Sequence, residues 1–329
     1  MCFMKQTILS GIRPTGKLHL GHLVGALANW SKLQEEYRCF FMVADWHALM
    51  GEYEDPSRMP QNIVDNVADW LSAGIDPSKS SIFIQSQVRQ HLDLHMIFSC
   101  FVPLGWLERC PTYKEQLREV STRDLNTYGF LGYPVLQAAD ILLYKADKVP
   151  VGEDQLPHLE LTREIARRFN SLYGCGVFPE PGALLTKNPR LPGLDGRKMS
   201  KSYGNAVYLS DDDAAVAAKT ASMITDPARV RRSDKGHPEV CNVFAYYSVF
   251  YPEKEQEARD WCSGGAMGCT DCKKILAGRL LEILAPLREK RAGLLQNKGY
   301  IEQVLKEGAG KASLAAAATL EEARRAMKI

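Results

Sequence analysis

No apolar run in this 329-residue sequence approaches the roughly 20 residues that a membrane helix needs. The first residues, Met1-Cys2-Phe3-Met4-Lys5-Gln6-Thr7, lack a basic stretch leading into an apolar core, so no export signal is read and a cytoplasmic chain without a membrane partner is expected. Nine cysteines, an odd number in a chain with no export signal, speak against a disulfide framework and for free thiols or metal ligands. Net charge is only +2, yet residues 273–329 hold 12 Lys/Arg against 6 Asp/Glu, or +6, which leaves −4 for residues 1–272. Such a basic end is either a solvated helix face or a surface for nucleic acid. No internal repeat is seen, and the alanine-rich Ala315–Ala318 is a stretch that a helix tolerates well.

What is present is an ordinary globular composition, 45% hydrophobic and 24% charged, in a chain long enough for one large domain and a companion. The first half alternates. Thr7-Ile8-Leu9 reads as a strand, Leu20–Tyr37 as a helix, Cys39–Ala44 as a buried strand, 57–73 as a helix closed by Gly74, and Ser81–Ile84 as a strand. Val135–Tyr144 reads as helical, 148–151 as extended and Leu156–Phe169 as helical, whereas the Pro- and Gly-rich stretch 174–197 reads as a long loop. From Asp211 onward helical periodicity dominates. The expected fold is α/β: a Rossmann-like, doubly wound parallel sheet over residues 1–205, followed by a smaller all-helical domain over 206–329.

Gly11-Ile12-Arg13-Pro14-Thr15-Gly16-Lys17-Leu18 has the glycine and lysine spacing of a P-loop, but Leu18 stands where a Mg²⁺-binding hydroxyl is required. The continuation is more informative. His19 and His22 flank Leu20-Gly21 at the start of a helix, where glycine permits close backbone approach and the helix N-terminus favours phosphate. Downstream, Lys198-Met199-Ser200-Lys201-Ser202 supplies two ammonium groups at the end of the long loop, suited to neutralising a departing pyrophosphate. Gly152-Glu153-Asp154-Gln155, between a strand and a helix, offers polar groups for a ribose or adenine edge.

Together these segments resemble the two ATP-handling signatures of class I aminoacyl-tRNA synthetases, and Ser10-Gly11-Ile12-Arg13-Pro14 resembles the tryptophanyl and tyrosyl branch. Tyr133–Tyr144, with Val149–Arg163, is similar to the bacterial tryptophanyl-tRNA synthetase family nearly throughout. That resemblance implies that Arg13, Pro14, Thr15, Gly21 and His22 contact ATP, with Gly152–Gln155, Leu191 near the adenine, and Lys198–Ser202. His19, His22, Lys198 and Lys201 would be catalytic, with Mg²⁺ accompanying the ATP. It also implies that Asp140 accepts the indole N–H, beside Leu9, His47 and Gln137. A carboxylate facing a donor-only indole is satisfied by tryptophan and left unpaired by phenylalanine. A tyrosine hydroxyl can also donate to Asp140, and Gln137 stands where many tryptophanyl enzymes carry methionine. Leu9 likewise stands where related enzymes often have phenylalanine. Asp45-Trp46-His47-Ala48 and Gly152–Arg163 favour tryptophan.

Cys241, Cys262, Cys269 and Cys272 fall within 32 residues. Four thiolates suit Zn²⁺ or a cubane iron–sulfur cluster, and a single close pair, Cys269-x2-Cys272, favours the cluster. A subset of tryptophanyl enzymes carries a 4Fe–4S cluster on a similar spacing near the anticodon-binding region. Expected partners are therefore tRNA(Trp), tryptophan, ATP and, by resemblance, a second copy of the chain in a homodimer. The alternatives are a tyrosine-specific synthetase, a synthetase-derived RNA-binding or regulatory module that does not charge tRNA, and a nucleotidyltransferase using the His-x-x-His pair on a small substrate.

Overall fold

The computed structural model describes residues 5–119, 124–185, 191–201 and 203–329. Strands β1 (Thr7–Ile12), β2 (Arg38–Val43), β3 (Ser80–Ile84), β4 (Lys148–Val151) and β5 (Gly182–Leu185) form one parallel sheet in the order β3-β2-β1-β4-β5. Both sheet faces are buried, and β2 shows why its sequence is apolar without alternation. Cys39, Phe41 and Val43 enter one core, while Phe40 and Met42 enter the other. Trp30 stacks on Phe41 with centroids 4.4 Å apart and meets Trp70 edge-on at 5.0 Å, while Phe40 stacks on Tyr144 at 4.4 Å across the sheet.

The expected α/β fold with C-terminal helices is the one observed. Three local differences have physical causes. The loop expected over 174–197 contains β5, a four-residue strand hidden by Pro179, Pro181 and neighbouring glycines, yet paired with β4 from Lys148↔Gly182 to Val151↔Leu185. The helix expected over Leu20–Tyr37 is interrupted: α1 (Leu20–His22) and α2 (Ala28–Glu36) are joined by a π-turn, Leu23–Leu27. Such turns widen a helix by one residue and often mark functional sites. The helix expected from Val135 starts at Tyr128, because α8 (Tyr128–Leu143) runs through Pro134 and is capped by Thr127, whose hydroxyl accepts from Phe130 N at 3.2 Å.

Between the strands lie α3 (Asp45–Glu52), α4 (Met59–Ser72), α5 (Gln90–Ser99), α6 (Leu104–Glu108), α7 (Pro111–Glu119) and α9 (Leu156–Tyr173). After β5 come α10 (Asp213–Ser222), α11 (Asn242–Phe250), α12 (Glu255–Ser263), α13 (Cys269–Gln296) and α14 (Lys298–Met327). Helix α13 packs on α4 and α10, and α14 crosses β3 so closely that a methyl group on Gly308 would collide with the Ile82 carbonyl. The chain runs from β1 outward through β2 and β3, then returns to β4 on the other side. This makes the carboxyl ends of β1 and β4 a topological switch point, where ligands bind in such sheets.

Candidate active site

A cavity of about 680 Å³ opens at that switch point. Leu9, Ser10 and Gly11 line it from β1, Met42 from β2, Gly21, His22 and Gly25 from the interrupted helix, and Gly152, Asp154 and Gln155 from the turn after β4. Of the residues expected from sequence, Leu9, Arg13, Gly21, His22, His47, Gln137, Asp140, Gly152, Asp154 and Gln155 all reach it. Glu153 is exposed to solvent, and Pro14, Thr15, His19 and Leu191 do not line the cavity, the first and the last two being buried. Ser202 lies outside the described residues.

His19 and His22 form a reciprocal N-terminal cap on α1, with ring centroids 3.9 Å apart. The His19 backbone N–H donates to His22 Nδ1 at 3.2 Å, which leaves the His22 proton on Nε2, the tautomer that this network assigns. Burial, reinforced by the Lys201 charge, brings His19 down to about 4. Burial, with His19 and Lys201, also holds His22 well below its ordinary value. Both imidazoles are therefore neutral at physiological pH, and each can offer one N–H.

The two signature segments are drawn together by backbone pairing. Leu20 N donates to Val207 O at 3.0 Å and Leu209 N to Leu18 O at 2.9 Å, so the chain that leaves Lys201 runs beside residues 18–20. Met199 is buried against Gly21, and Lys201 Nζ donates to Gly16 O at 3.0 Å. Burial, aided by the Arg13 charge, lowers Lys201 to about 8, with Asp69 and Glu52 opposing. Asn205 fixes the loop: Ser200 N donates to its Oδ1 at 2.9 Å, and its Nδ2 donates to Asp195 at 2.7 Å and to Lys198 O at 3.2 Å. A side chain on Gly193 would strike that amide. Lys198, Met199, Ser200 and Lys201 are not among the residues that line the cavity.

At the other end of the cavity Asp140, 2% exposed, is held by three donors. His47 Nε2 lies 2.8 Å from Oδ2, His91 Nδ1 2.7 Å from Oδ1, and Gln85 Nε2 2.8 and 3.0 Å from the two oxygens. Burial alone would raise this carboxyl, but the hydrogen bonds from His47 and His91 outweigh it and hold Asp140 at about 2. An ionised carboxylate has about four acceptor positions and these contacts engage all of them, so a ligand donor would displace the longest, Gln85 Nε2 to Oδ2 at 3.0 Å. Gln85 and His91 escaped the sequence reading. Gln85 has one signal, its place just past the carboxyl end of β3, and His91, on α5, has none.

Tyr133 and His158 also face the cavity; both fall in the segments that carry the family resemblance but were given no role there, and Tyr133 Oη lies 2.9 Å from His158 Nε2. The packing of α8 beside α9 brings them together at the wall.

Residues 4–285 match the family described as tRNA synthetases class I (W and Y). The chain belongs to that family. A tryptophan–tRNA ligase of Thermotoga maritima is 54% identical to this synthetase over 325 residues, 98% of this chain and 99% of the relative. One from Aquifex aeolicus is 45% identical, covering 98% of this chain and 99% of the relative. The crystal structure of a tryptophanyl-tRNA synthetase from Campylobacter jejuni complexed with ADP and tryptophan superimposes with a TM-score of 0.88 at 32% identity, covering 98% of this chain and all of that one.

In this synthetase the cysteine cluster lies far along the chain from the cavity residues. Cys241 caps α11, Cys262 lies in α12, and Cys269 and Cys272 occupy the first turn of α13. Cys262 is raised by burial and by Cys241 and Cys269, with Arg229 opposing. Cys272 is pushed up to about 11 by burial, with Cys241 and Cys262 adding to the rise. The four thiols thus sit within electrostatic reach of one another, although among the described residues they are not gathered to the spacing of a single bound ion. Two buried donors stand beside them without a hydrogen-bond partner, Arg229 Nε and Trp261 Nε1. Arg229 Nη1 reaches Cys262 Sγ at 3.9 Å, and the Trp261 indole N–H is aimed at Cys272. Orphaned donors and the start of a 28-residue helix both suit anionic sulfur.

Proposed function

We propose that this synthetase activates tryptophan with ATP, giving tryptophanyl-adenylate and pyrophosphate, and then transfers the tryptophanyl group to the 3′ end of tRNA(Trp). The observation that carries the specificity is Asp140, an ionised acceptor held in place by His47, His91 and Gln85 at the wall of the cavity. A ligand with a donor at the far end of its ring can bond to it, and one without such a donor cannot. Tryptophan is favoured over tyrosine because tryptophan is the substrate in the names of the full-length relatives.

In the activation step a tryptophan carboxylate oxygen attacks the α-phosphorus of ATP, a new P–O bond forms, and the bond to the β-phosphate oxygen breaks. Gly21 lets the nucleotide approach the start of α1, where His22 Nε2–H can donate to a phosphate oxygen. Arg13 and the ammonium groups of Lys198 and Lys201 balance the charge that accumulates on the departing pyrophosphate, with Mg²⁺ carried on the nucleotide. Asp154 and Gln155 lie where the ribose and adenine edge would sit, and Leu9 and Gln137 flank the indole. In the second step a hydroxyl of the terminal adenosine of tRNA attacks the activated carbonyl and AMP leaves.

In this reading residues 1–205 perform the chemistry and residues 206–329 meet the anticodon, with a homodimer as the assembly. The Cys241, Cys262, Cys269 and Cys272 set would hold a 4Fe–4S cluster, which braces helices α11, α12 and α13; Zn²⁺ is the second reading. The orphaned donors at Arg229 and Trp261 support the cluster, since its sulfurs accept several N–H groups at once. No helix among the described residues is long and apolar enough to cross a membrane.

Amino-acid-dependent exchange of pyrophosphate into ATP tests the function. Tryptophan is expected to drive it and tyrosine to fall well short, in keeping with the tryptophan named for the full-length relatives. Equal exchange with tyrosine would move the chain to the tyrosyl branch, and no exchange with either would favour the regulatory module.

A further inference from the structure

Behind the cavity wall, four polar heads from three helices and a turn converge on one point. Cys110 Sγ lies 3.4 Å from Thr112 Oγ1, Thr112 Oγ1 lies 3.0 Å from His158 Nε2, and Tyr133 Oη lies 2.9 Å from the same nitrogen. Cys110 sits in the turn between α6 and α7, Thr112 in α7, Tyr133 in α8 and His158 in α9. The proposed activation and transfer steps use none of the Cys110, Thr112 and His158 side chains. Tyr133 and His158 nonetheless line the substrate cavity, so a change at Cys110 has a direct mechanical route to it.

The environment activates the sulfur. Burial alone would raise the thiol, but the hydrogen bonds from His158 and Thr112 and the imidazole charge outweigh it, bringing Cys110 to about 7. Burial instead pushes Cys39 up to about 12. The charged and titratable groups facing Cys110 are His158 from α9, Tyr133 from α8 and, beyond Tyr133, Arg13 after β1. A thiolate beside an imidazole is the arrangement that makes cysteine nucleophilic, and 6% exposure leaves passage only for a small reagent.

We propose that Cys110 is an oxidant-sensitive thiol, and that its conversion to the sulfenic acid by a hydroperoxide shuts the substrate cavity by displacing Tyr133 and His158. The Cys110 sulfur attacks one peroxide oxygen, an S–O bond forms and the O–O bond breaks. Sulfur loses two electrons to the peroxide, whose second oxygen leaves as hydroxide and takes a proton from water or from His158. The added oxygen enlarges a head group that already interacts with Thr112, Tyr133 and His158, and its room is made at the expense of the two wall residues. A thiol reductant reverses the step.

The test treats the intact enzyme with hydrogen peroxide at a few equivalents, traps sulfenic acid with a dimedone reagent, and maps it by peptide mass alongside tryptophan-dependent pyrophosphate exchange. Cys110 is expected to be labelled before Cys39 and Cys175, exchange to fall in step with that label, and dithiothreitol to restore it. Cys110→Ser is expected to remain active and to keep at least about four-fifths of its exchange under a dose that halves the wild type. If Cys110→Ser is inhibited as strongly as wild type, oxidation elsewhere is responsible, the four C-terminal cysteines included, and the proposal fails. Should that variant be inactive, Thr112→Val decides: its Cys110 alkylation midpoint is expected to rise from near pH 7 to above 8, with slower labelling by peroxide. An unchanged midpoint would overturn the proposal. Labelling of Cys110 is read without reference to substrate, so it stands or falls separately from the tryptophan assignment.

Discussion

Lys201 Nζ donates to the backbone carbonyl of Gly16 at 3.0 Å, which joins the second signature segment to the turn of the first across 185 residues of chain. The same carbonyl also accepts from Asn66 Nδ2 at 3.0 Å. Gly16 itself has φ +118°, a conformation that a side chain would strain. The Lys201 ammonium thus rests on an acceptor that keeps Asn66 when the lysine leaves. In the proposed activation step a phosphate oxygen would replace that carbonyl as the acceptor.

Lys201→Ala is therefore expected to slow adenylate formation by about 10²-fold or more while tryptophan affinity stays within about twofold, since its charge matters most as pyrophosphate separates. Single-turnover rates and calorimetry read the two effects apart. The ammonium is the active form, and burial places its loss at about 8. kcat/KM for ATP should consequently fall as pH rises through about 8 in wild type and stay level in Lys201→Arg, whose guanidinium remains charged. A decline that persists in Lys201→Arg assigns the titration to another group.

The signature segments were legible because phosphate chemistry asks for particular residues close together in sequence: Gly21 and His22 on one helix start, Lys198 and Lys201 on one loop. Asp140 was legible only through its resemblance to a family. Gln85, His91 and Asn205 were not legible, since each acts on a residue brought near by tertiary packing: Gln85 meets Asp140 across 55 residues and His91 across 49. β5 was missed because strand pairing with β4 overrides the local turn signals of Pro179, Pro181 and Gly182. The π-turn at Leu23–Leu27 leaves no mark in the apolar periodicity, which an extra residue merely shifts.

Asp140→Asn tests the substrate end of the cavity. The amide presents an N–H where the carboxylate had only acceptors, and it weakens the contacts to His47, His91 and Gln85. kcat/KM for tryptophan is expected to fall by about 10²-fold or more, with KM for ATP changed less than about threefold. Stability should change with a definite sign. Asp140 titrates at about 2 in the folded chain. It therefore contributes above the ordinary carboxylate value of about 3.9 and loses that contribution as pH falls from about 4 to 2. The wild type should lose about 2 kcal/mol more than Asp140→Asn over that interval in urea unfolding. Parallel curves would show that Asp140 is not held ionised by its three donors.

Arg291 ties the C-terminal helices to the phosphate turn. Its Nε lies 2.7 Å from Asp69 Oδ1 and its Nη2 2.6 Å from Asp65 Oδ1, and Asp69 is 2% exposed on the same helix as Asn66. Arg291→Ala strands a buried carboxylate, so unfolding free energy should drop by about 3 kcal/mol. Asp69→Asn combined with Arg291→Ala removes both charges and should recover more than half of that loss. If the double variant is no more stable than Arg291→Ala, the pair contributes packing and not charge compensation.

Cys269→Ser tests the sulfur-rich end. Cys269 opens α13, whose other end carries Arg291, so ligation at the helix start would brace a helix that reaches α4. The cluster region also lies just beyond Arg229, Arg231 and Arg232, in line with the basic segment 273–329, which is the charge expected to meet RNA phosphates. In protein purified without air, wild type is expected to carry about four iron and four sulfide per chain, the composition of one cubane. Cys269→Ser should lose both. tRNA charging should then weaken and become shallower in its salt dependence as phosphate contacts of the basic surface are lost, while tryptophan-dependent pyrophosphate exchange stays within about threefold, because the cavity residues belong to other elements. Stoichiometric zinc without sulfide would assign the thiols to a structural zinc ion. Iron and sulfide present but charging unchanged in Cys269→Ser would leave the cluster with no part in tRNA recognition.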